Sequence, residues 1–143
     1  MKALSIASFL VIAGAVLGLL ATHRLLSSAP VVIIVQIAAL GLMVWARVVF
    51  GFRSFHAAAN PTEGGLIKTG PYRFIRHPVY TAVVAFVFTG ALAHFSLLAV
   101  VLALVVLAGS IGRMLSEEHL LRQRYPDYAE YAAKTSRMIP YAF

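Results

Sequence analysis

The sequence has no cysteine, five acidic residues and only 12% charged residues in all. Without cysteine there is no disulfide framework, no thiolate metal site and no cysteine nucleophile. A soluble domain carries about 25% charged residues, so this chain lacks the means to cover itself with an ordinary water-facing surface. No Gly-x-Gly-x-x-Gly follows a strand-like segment, which excludes the usual soluble nucleotide fold. No Asp or Glu precedes Glu63, and none lies between Glu63 and Glu117. A proton-coupled transporter wants an acidic group within the membrane, so transport is disfavoured. No internal repeat or low-complexity segment is evident.

What is present is apolar: 61% of 143 residues. A chain this short has too little interior to hide that surface from water, so most of it must face lipid. The net charge of +7 would suggest nucleic acid in a soluble protein. Here the charges sit at the ends of the apolar runs, as membrane topology requires, and no nucleic-acid partner is expected.

Four apolar passes are expected. Ala3–Thr22 contains no ionisable group and can cross ~30 Å of hydrocarbon. It exceeds the ~7–15-residue core of a signal peptide, so it is expected to be retained as a helix although Lys2 precedes it. The second run extends from about Ala29 to Phe52, with Pro30 suited to a first helical turn. Gln36 lies at its centre, and Arg47 near its end can snorkel to the headgroups. The third run, Pro78–Gly112, would make a helix of ~52 Å, too long for one crossing. It divides into about Val79–Leu92 and Ser96–Leu115 around a hinge at Gly90–Phe95. Both passes are short and imply local bilayer thinning. With four passes, Lys2, Arg53, Lys68, Arg73, Arg76, Arg113, Arg122, Arg124, Lys134 and Arg137 share one side, and only Arg24 lies on the other. The expected fold is therefore an all-α integral membrane protein with four transmembrane helices, a cytoplasmic loop, short C-terminal helices and both termini in the cytoplasm. It forms a single domain over 1–143: two N-terminal helices in 1–52, then the loop, helical hairpin and tail in 53–143.

The two cytoplasmic pieces hold the unusual residues. The loop Arg53–His77 carries Asn60-Pro61, Gly64-Gly65 and Thr69-Gly70-Pro71-Tyr72, all turn signals. Backbone N–H groups that no helix satisfies, beside Arg73, Arg76 and His77, can grip an anion. About 25 residues is long for a mere connector. The tail continues the fourth helix. Arg113 and Glu117 share one face, as do Glu118 and Arg122. As surface pairs these contribute only ~0.3–0.5 kcal/mol each and would be charge decoration. Asp127 with Glu130 reads as a capping box for a short helix ending near Lys134. The tyrosines of Tyr125-Pro126-Asp127-Tyr128-Ala129-Glu130-Tyr131 suit an interfacial belt or the wall of a pocket. His77 can simply cap the third helix, and Arg76 can simply anchor it. His23, His56, His94 and His119 have no paired ligand spacing, and no metal site is expected.

Two stretches stand together: Gly70-Pro71-Tyr72-Arg73-Phe74-Ile75-Arg76-His77-Pro78-Val79-Tyr80, and Arg113-Met114-Leu115-Ser116-Glu117-Glu118-His119-Leu120-Leu121 followed by the aromatic tail. The pair resembles the C-terminal signature of the isoprenylcysteine carboxyl methyltransferase family, which includes related phospholipid methyltransferases. The resemblance covers about Gly64–Pro140. Ala82 stands where family members often have glycine, and the two N-terminal passes carry no family motif.

The resemblance implies S-adenosylmethionine as cofactor, held between the loop, the start of the third helix and the tail. It places Leu66, Lys68, Thr69, Gly70, Tyr72, Arg76, His77, Pro78, Tyr80 and Glu117 or Glu118 around the cofactor, with Arg113, Glu117 and Glu118 as the catalytic group. Methyl transfer to an anionic acceptor neutralises charge, so positioning and desolvation matter more than acid catalysis. Arg113 can hold a carboxylate or phosphate bidentately. Glu117 or Glu118 can orient Arg113 or take the cofactor's ammonium or ribose. Arg76 and His77 can hold its carboxylate, Pro78 can fix the first helical turn, and Tyr80 can wall the pocket.

The leading expectation is an integral membrane methyltransferase acting on a lipidic or isoprenoid acceptor (a carboxylate, an amine or a phospholipid headgroup) at the cytoplasmic face. The partners are that acceptor and the surrounding lipids, and the oligomeric state is open. The alternatives are a membrane reductase related to sterol reductases using NADPH, and a non-enzymatic membrane accessory protein. The orientation has a direct check: reporter fusions at Ser28 and His94 should both read as non-cytoplasmic, and a cytoplasmic reading at both would reverse the topology.

Overall fold

The computed structural model describes residues 2–51 and 65–141. Arg53, His56, Asn60-Pro61, Glu63 and Gly64, together with the expected end of the second run at Phe52, lie outside them. The described residues are all-helical, with no strand among them: α1 Lys2–Ala21, α2 Pro30–Phe50, α3 Pro78–Ala93, α4 Leu97–Arg124 and α5 Tyr128–Lys134, with a 3₁₀ turn at Gly70–Arg73 before α3.

Three helices are long and apolar enough to cross a membrane: α1, α2 and α4. α3 is apolar but has 16 residues. The helix ends follow local chemistry. Pro30 and Pro78 open α2 and α3, where a missing N–H costs nothing. The long run breaks at His94–Ser96, and Ser96 Oγ accepts the Ala99 amide at 3.1 Å to start α4. α4 then runs 28 residues, well past the apolar stretch, and its polar C-terminal part carries Arg113, Glu117 and Glu118. Pro126 follows its end.

α1 packs along α4, α4 against α3, and α3 against α2, so the spatial order is α1–α4–α3–α2. The core at their crossing comprises Ala15, Leu19, Leu25, Val87, Ala91, Ala99, Ala103 and Val106. Small side chains dominate it, because without water to expel, helices in lipid gain attraction by close approach. A Cβ at Gly112 of α4 would meet Ser8 Oγ of α1 at 2.7 Å. The buried Ala82 on α3 shows that a methyl is accommodated at that position.

Away from the polar end of α4, the α1–α2 connector is tied to the α3–α4 turn. Gln36 Nε2 donates to the Leu25 carbonyl at 2.8 Å and to that of Phe86 at 3.3 Å. This accounts for the one polar side chain central to α2: a buried amide is retained because it satisfies backbone that no helix satisfies. A Cβ at Gly90 would lie 1.9 Å from the same Leu25 carbonyl oxygen, so only glycine allows this approach. Arg24 Nη1 donates to Ser96 Oγ at 2.7 Å, and His94 Nε2 lies 2.6 Å from the Leu26 carbonyl oxygen. These contacts hold the two helical hairpins in register, which in turn fixes where the opposite ends of α3 and α4 meet.

Candidate functional site

Pro78 disfavours the helical region for the residue before it. His77 accordingly has φ −126° and ψ 56°; it stands at the N-cap of α3, where its carbonyl accepts the Thr81 amide at 3.1 Å but its side chain makes no cap bond. The segment 74–77 therefore keeps backbone groups that α3 cannot use, and the tail supplies partners. The Arg76 amide donates to the Ser136 carbonyl at 2.8 Å, the His77 amide to that of Arg137 at 3.0 Å, and the Ser136 amide to that of Phe74 at 3.2 Å. Ile75 and Ser136 form an isolated parallel bridge. Farther out, Tyr131 Oη donates to the Tyr72 carbonyl at 2.7 Å, and Lys68 pairs with Asp127 at 2.5 Å. The Tyr72 ring lies 5.7 Å from the Phe50 ring of α2. The loop before α3 is thus held between α2 and the tail.

Under this covering lies a buried ionic cluster with two centres. In the first, Arg113 Nε donates to Tyr80 Oη at 2.8 Å, and Tyr80 Oη donates to Glu117 Oε1. Arg113 Nη2 is 3.5 Å from the same carboxylate oxygen, and its guanidinium stands 5.3 Å from the Phe9 ring centroid of α1. In the second, Glu118 accepts Arg76 Nε at 3.0 Å and Arg137 Nε at 3.3 Å. Arg76 Nη1 donates to the Ala132 carbonyl at 2.8 Å and to the Thr135 carbonyl. His77 bridges the two centres: its Nδ1 is 3.6 Å from Glu117 Oε2, and its Nε2 is 3.4 Å from Glu118 Oε1. Nε2 is buried and makes no hydrogen bond among the described residues, so it attracts Glu118 when the ring is protonated.

The two acids differ in access. The Glu118 side chain is 5% exposed and the Glu117 side chain 26%. Glu118 is enclosed by Arg76, Arg137 and His77, whereas Glu117 keeps an open side. The expected Glu118–Arg122 pair is absent: Glu118 turns inward, and Arg122 lies 5.4 Å from the Tyr128 ring centroid. The Arg113–Glu117 pair exists, with Arg113 buried and Glu117 half-buried rather than both on the surface. The capping box at α5 does not form either. Asp127 makes no side-chain cap because Lys68 takes its carboxylate, and Glu130 goes to Lys134 at 2.6 Å.

Of the residues singled out from the sequence, the structure gathers Arg76, His77, Tyr80, Arg113, Glu117 and Glu118. Pro78 is buried at the start of α3. Burial and the Glu117 carboxylate raise the Tyr72 hydroxyl above its ordinary pKa, which brings that residue into the field of the cluster. Leu66 and Gly70 are half-buried on the loop, while Lys68 and Thr69 are exposed there, Lys68 being engaged by Asp127. Two of the three Arg76 nitrogens are committed to Glu118 and the tail carbonyls. Sequence reasoning missed Arg137 and Phe9. Arg137 had counted only as a topological charge, and Phe9 was one apolar residue among many. Tyr128 was legible as aromatic but not as a buried hydroxyl without a partner; burial, with Glu118 nearby, pushes its pKa up to about 12.

Comparison with known proteins adds family information. The family model described as phospholipid methyltransferase matches residues 31–128, more than half of the chain. The chain is 37% identical over 76 residues to the nickel-cobalt-cadmium resistance protein NccN of Alcaligenes xylosoxydans xylosoxydans. That alignment covers 52% of this chain but 36% of the relative, so the chain spans about a third of the length of that protein. No solved structure matches.

His77 gives the site a defined pH response. Burial opposes its charged form, but the Glu117 and Glu118 carboxylates outweigh burial and raise its pKa above the ordinary value. A group that binds its proton more tightly when folded contributes stability that is complete below its unfolded pKa of ~6.5. That stability is lost as pH rises through the folded value. Thermal unfolding in detergent should therefore show a midpoint that falls over that window, and His77→Gln should flatten this part of the profile. The same slope in His77→Gln would assign the dependence elsewhere.

Proposed function

The chain belongs to the phospholipid methyltransferase family, and from that premise we propose that it transfers a methyl group from S-adenosylmethionine to a lipidic or isoprenoid acceptor at the cytoplasmic face of a membrane. Membership makes it a membrane methyltransferase in general terms; cofactor, acceptor, orientation and residue roles are the proposal. In this reading α3 is a fourth pass. At ~24 Å it is shorter than the ~30 Å hydrocarbon core, and its place between α2 and α4 shields it where the bilayer thins.

The observation that carries the proposal is the half-buried Arg113–Tyr80–Glu117 centre, sited where α4 leaves its apolar stretch. An amphiphile anchored in lipid and a cofactor arriving from water can meet only at such a boundary. The donor set supports S-adenosylmethionine: Glu117 for its ammonium or ribose, the remaining Arg76 nitrogen for its carboxylate, and the loop through Tyr72 for an apolar wall, while His77, with both ring nitrogens facing Glu117 and Glu118, holds those acids rather than the cofactor's carboxylate. When bound, the cofactor supplies an electrophilic methyl group on a cationic sulfur. The protein's task is to bind, orient and exclude water. Arg113 is held by Tyr80 and Glu117, with its guanidinium 5.3 Å from the Phe9 ring centroid, so its position is fixed before a carboxylate or phosphate arrives. Glu118 acts differently, fastening the tail that covers the site. The metal resistance in the relative's name is a property of that protein and is not carried over to this chain.

These roles separate in experiment. Arg113→Ala should lower turnover of a radiolabelled methyl donor by roughly 10- to 100-fold, the worth of a charged hydrogen bond, with folding intact. Arg113→Lys should rescue poorly, because an ammonium lacks the planar fork. Glu117→Gln should lose turnover at near-normal stability. Glu118→Gln should lose about 3–5 kcal/mol of stability by stranding buried cations. Near-normal turnover in both Arg113→Ala and Glu117→Gln would overturn the assignment.

A further inference from the structure

The outer face of the tail carries a feature that methyl transfer does not use. Thr81 Oγ1 donates to the Met138 carbonyl at 2.8 Å, which fixes the tail at the first turn of α3. Just beyond, Ile139 is 57% exposed and Tyr141 95%, and Phe74, on the segment entering α3, is 48% exposed. Large apolar side chains held out together mark an interaction surface. At the level where an apolar helix begins, that surface meets the headgroup zone, where aromatic side chains concentrate.

A depression of about 310 Å³ lies against Phe74 and Tyr141, with Arg73, Lys134, Thr135 and Ser136 also in its lining and no acidic residue. The Arg73 guanidinium stands 5.8 Å from the Phe74 ring centroid and has no hydrogen-bond partner among the described residues. Lys134 gives one proton to Glu130 at 2.6 Å and keeps two. Ser136 Oγ accepts the Tyr141 amide at 2.9 Å, leaving its own proton to donate. Arg76 reaches the same stretch of tail through the Ala132 and Thr135 carbonyls, so the segment belongs to both the buried cluster and the depression.

We propose that this depression seats the anionic headgroup of a membrane lipid, with its phosphate against Arg73, Lys134 and Ser136 and its acyl chains running past Phe74 and Ile139 beside α3. The lipid is a structural partner that holds the tail down, bound apart from the Arg113 centre. The charge of the seat favours a phosphate not neutralised by a cation in its own headgroup.

The test is native mass spectrometry of the full chain released from detergent with equimolar phosphatidylglycerol and phosphatidylcholine of matched acyl chains. Phosphatidylglycerol adducts should dominate by about tenfold, the worth of one charge-assisted hydrogen bond. The preference should fall to parity in the Arg73→Gln/Lys134→Gln double variant. It should persist in Arg124→Gln, which removes an exposed cation at the end of α4. Parity in the unaltered protein, or equal loss in Arg124→Gln, would overturn the proposal. So would displacement of the lipid by excess inorganic phosphate, which would make soluble phosphate the ligand. The readout is independent of methyl transfer, so its failure leaves the catalytic reading untouched.

Discussion

The Glu118 carboxylate is the point on which the polar half of the protein depends. It is almost wholly withdrawn from water, and a buried carboxylate is tolerable only if cations meet it with good geometry. Its three partners come from separate stretches of chain: Arg76 and His77 from the segment before α3, and Arg137 from the tail. Satisfying one charge therefore brings loop, hairpin and tail together. The backbone bridge at Ile75–Ser136 and the two Arg76 contacts to tail carbonyls complete the same fastening. A chain with few polar groups uses them here as a clamp.

From the clamp follows a division of labour between adjacent acids. Consecutive residues on a helix point about 100° apart, so Glu118 can face the tail while Glu117 faces α3 and Tyr80. His77 lies between them and couples the two centres electrostatically. The outer rim, with Arg73 and Lys134, lies outside this pairing. At the far end of the bundle the Gln36–Leu25–Gly90 contact does comparable work for backbone, so the apolar helices are held in register from both ends.

The helices were legible in the sequence because apolar composition is a local property. The expected Ala3–Thr22 appears as Lys2–Ala21, and the expected hinge within Gly90–Phe95 appears as the break at His94–Ser96. α4 runs past the apolar pass that ends near Leu115 and into the tail, as the helical spacing of Arg113, Glu117, Glu118 and Arg122 leads one to expect. The residues that gather at the site were also legible, through their types and motif spacing. Their partners were not. Helical spacing offered Glu118 to Arg122, but burial by the tail made Arg76 and Arg137 the better partners. The capping box at Asp127 and Glu130 was locally sound and lost to Lys68 and Lys134. Arg137 carried no signal beyond its charge. In each case the choice was made by packing between segments far apart in sequence, which no local pattern encodes.

What the covered cluster binds decides the function of the protein. The most direct measurement is calorimetric titration of the detergent-purified protein with S-adenosylhomocysteine and, separately, with NADPH. The arrangement of Glu117, Arg76 and the loop through Tyr72 predicts saturable binding of S-adenosylhomocysteine and no heat from NADPH. Binding of NADPH alone, or of neither, would contradict a methyl-donor site and with it the reading of this cluster.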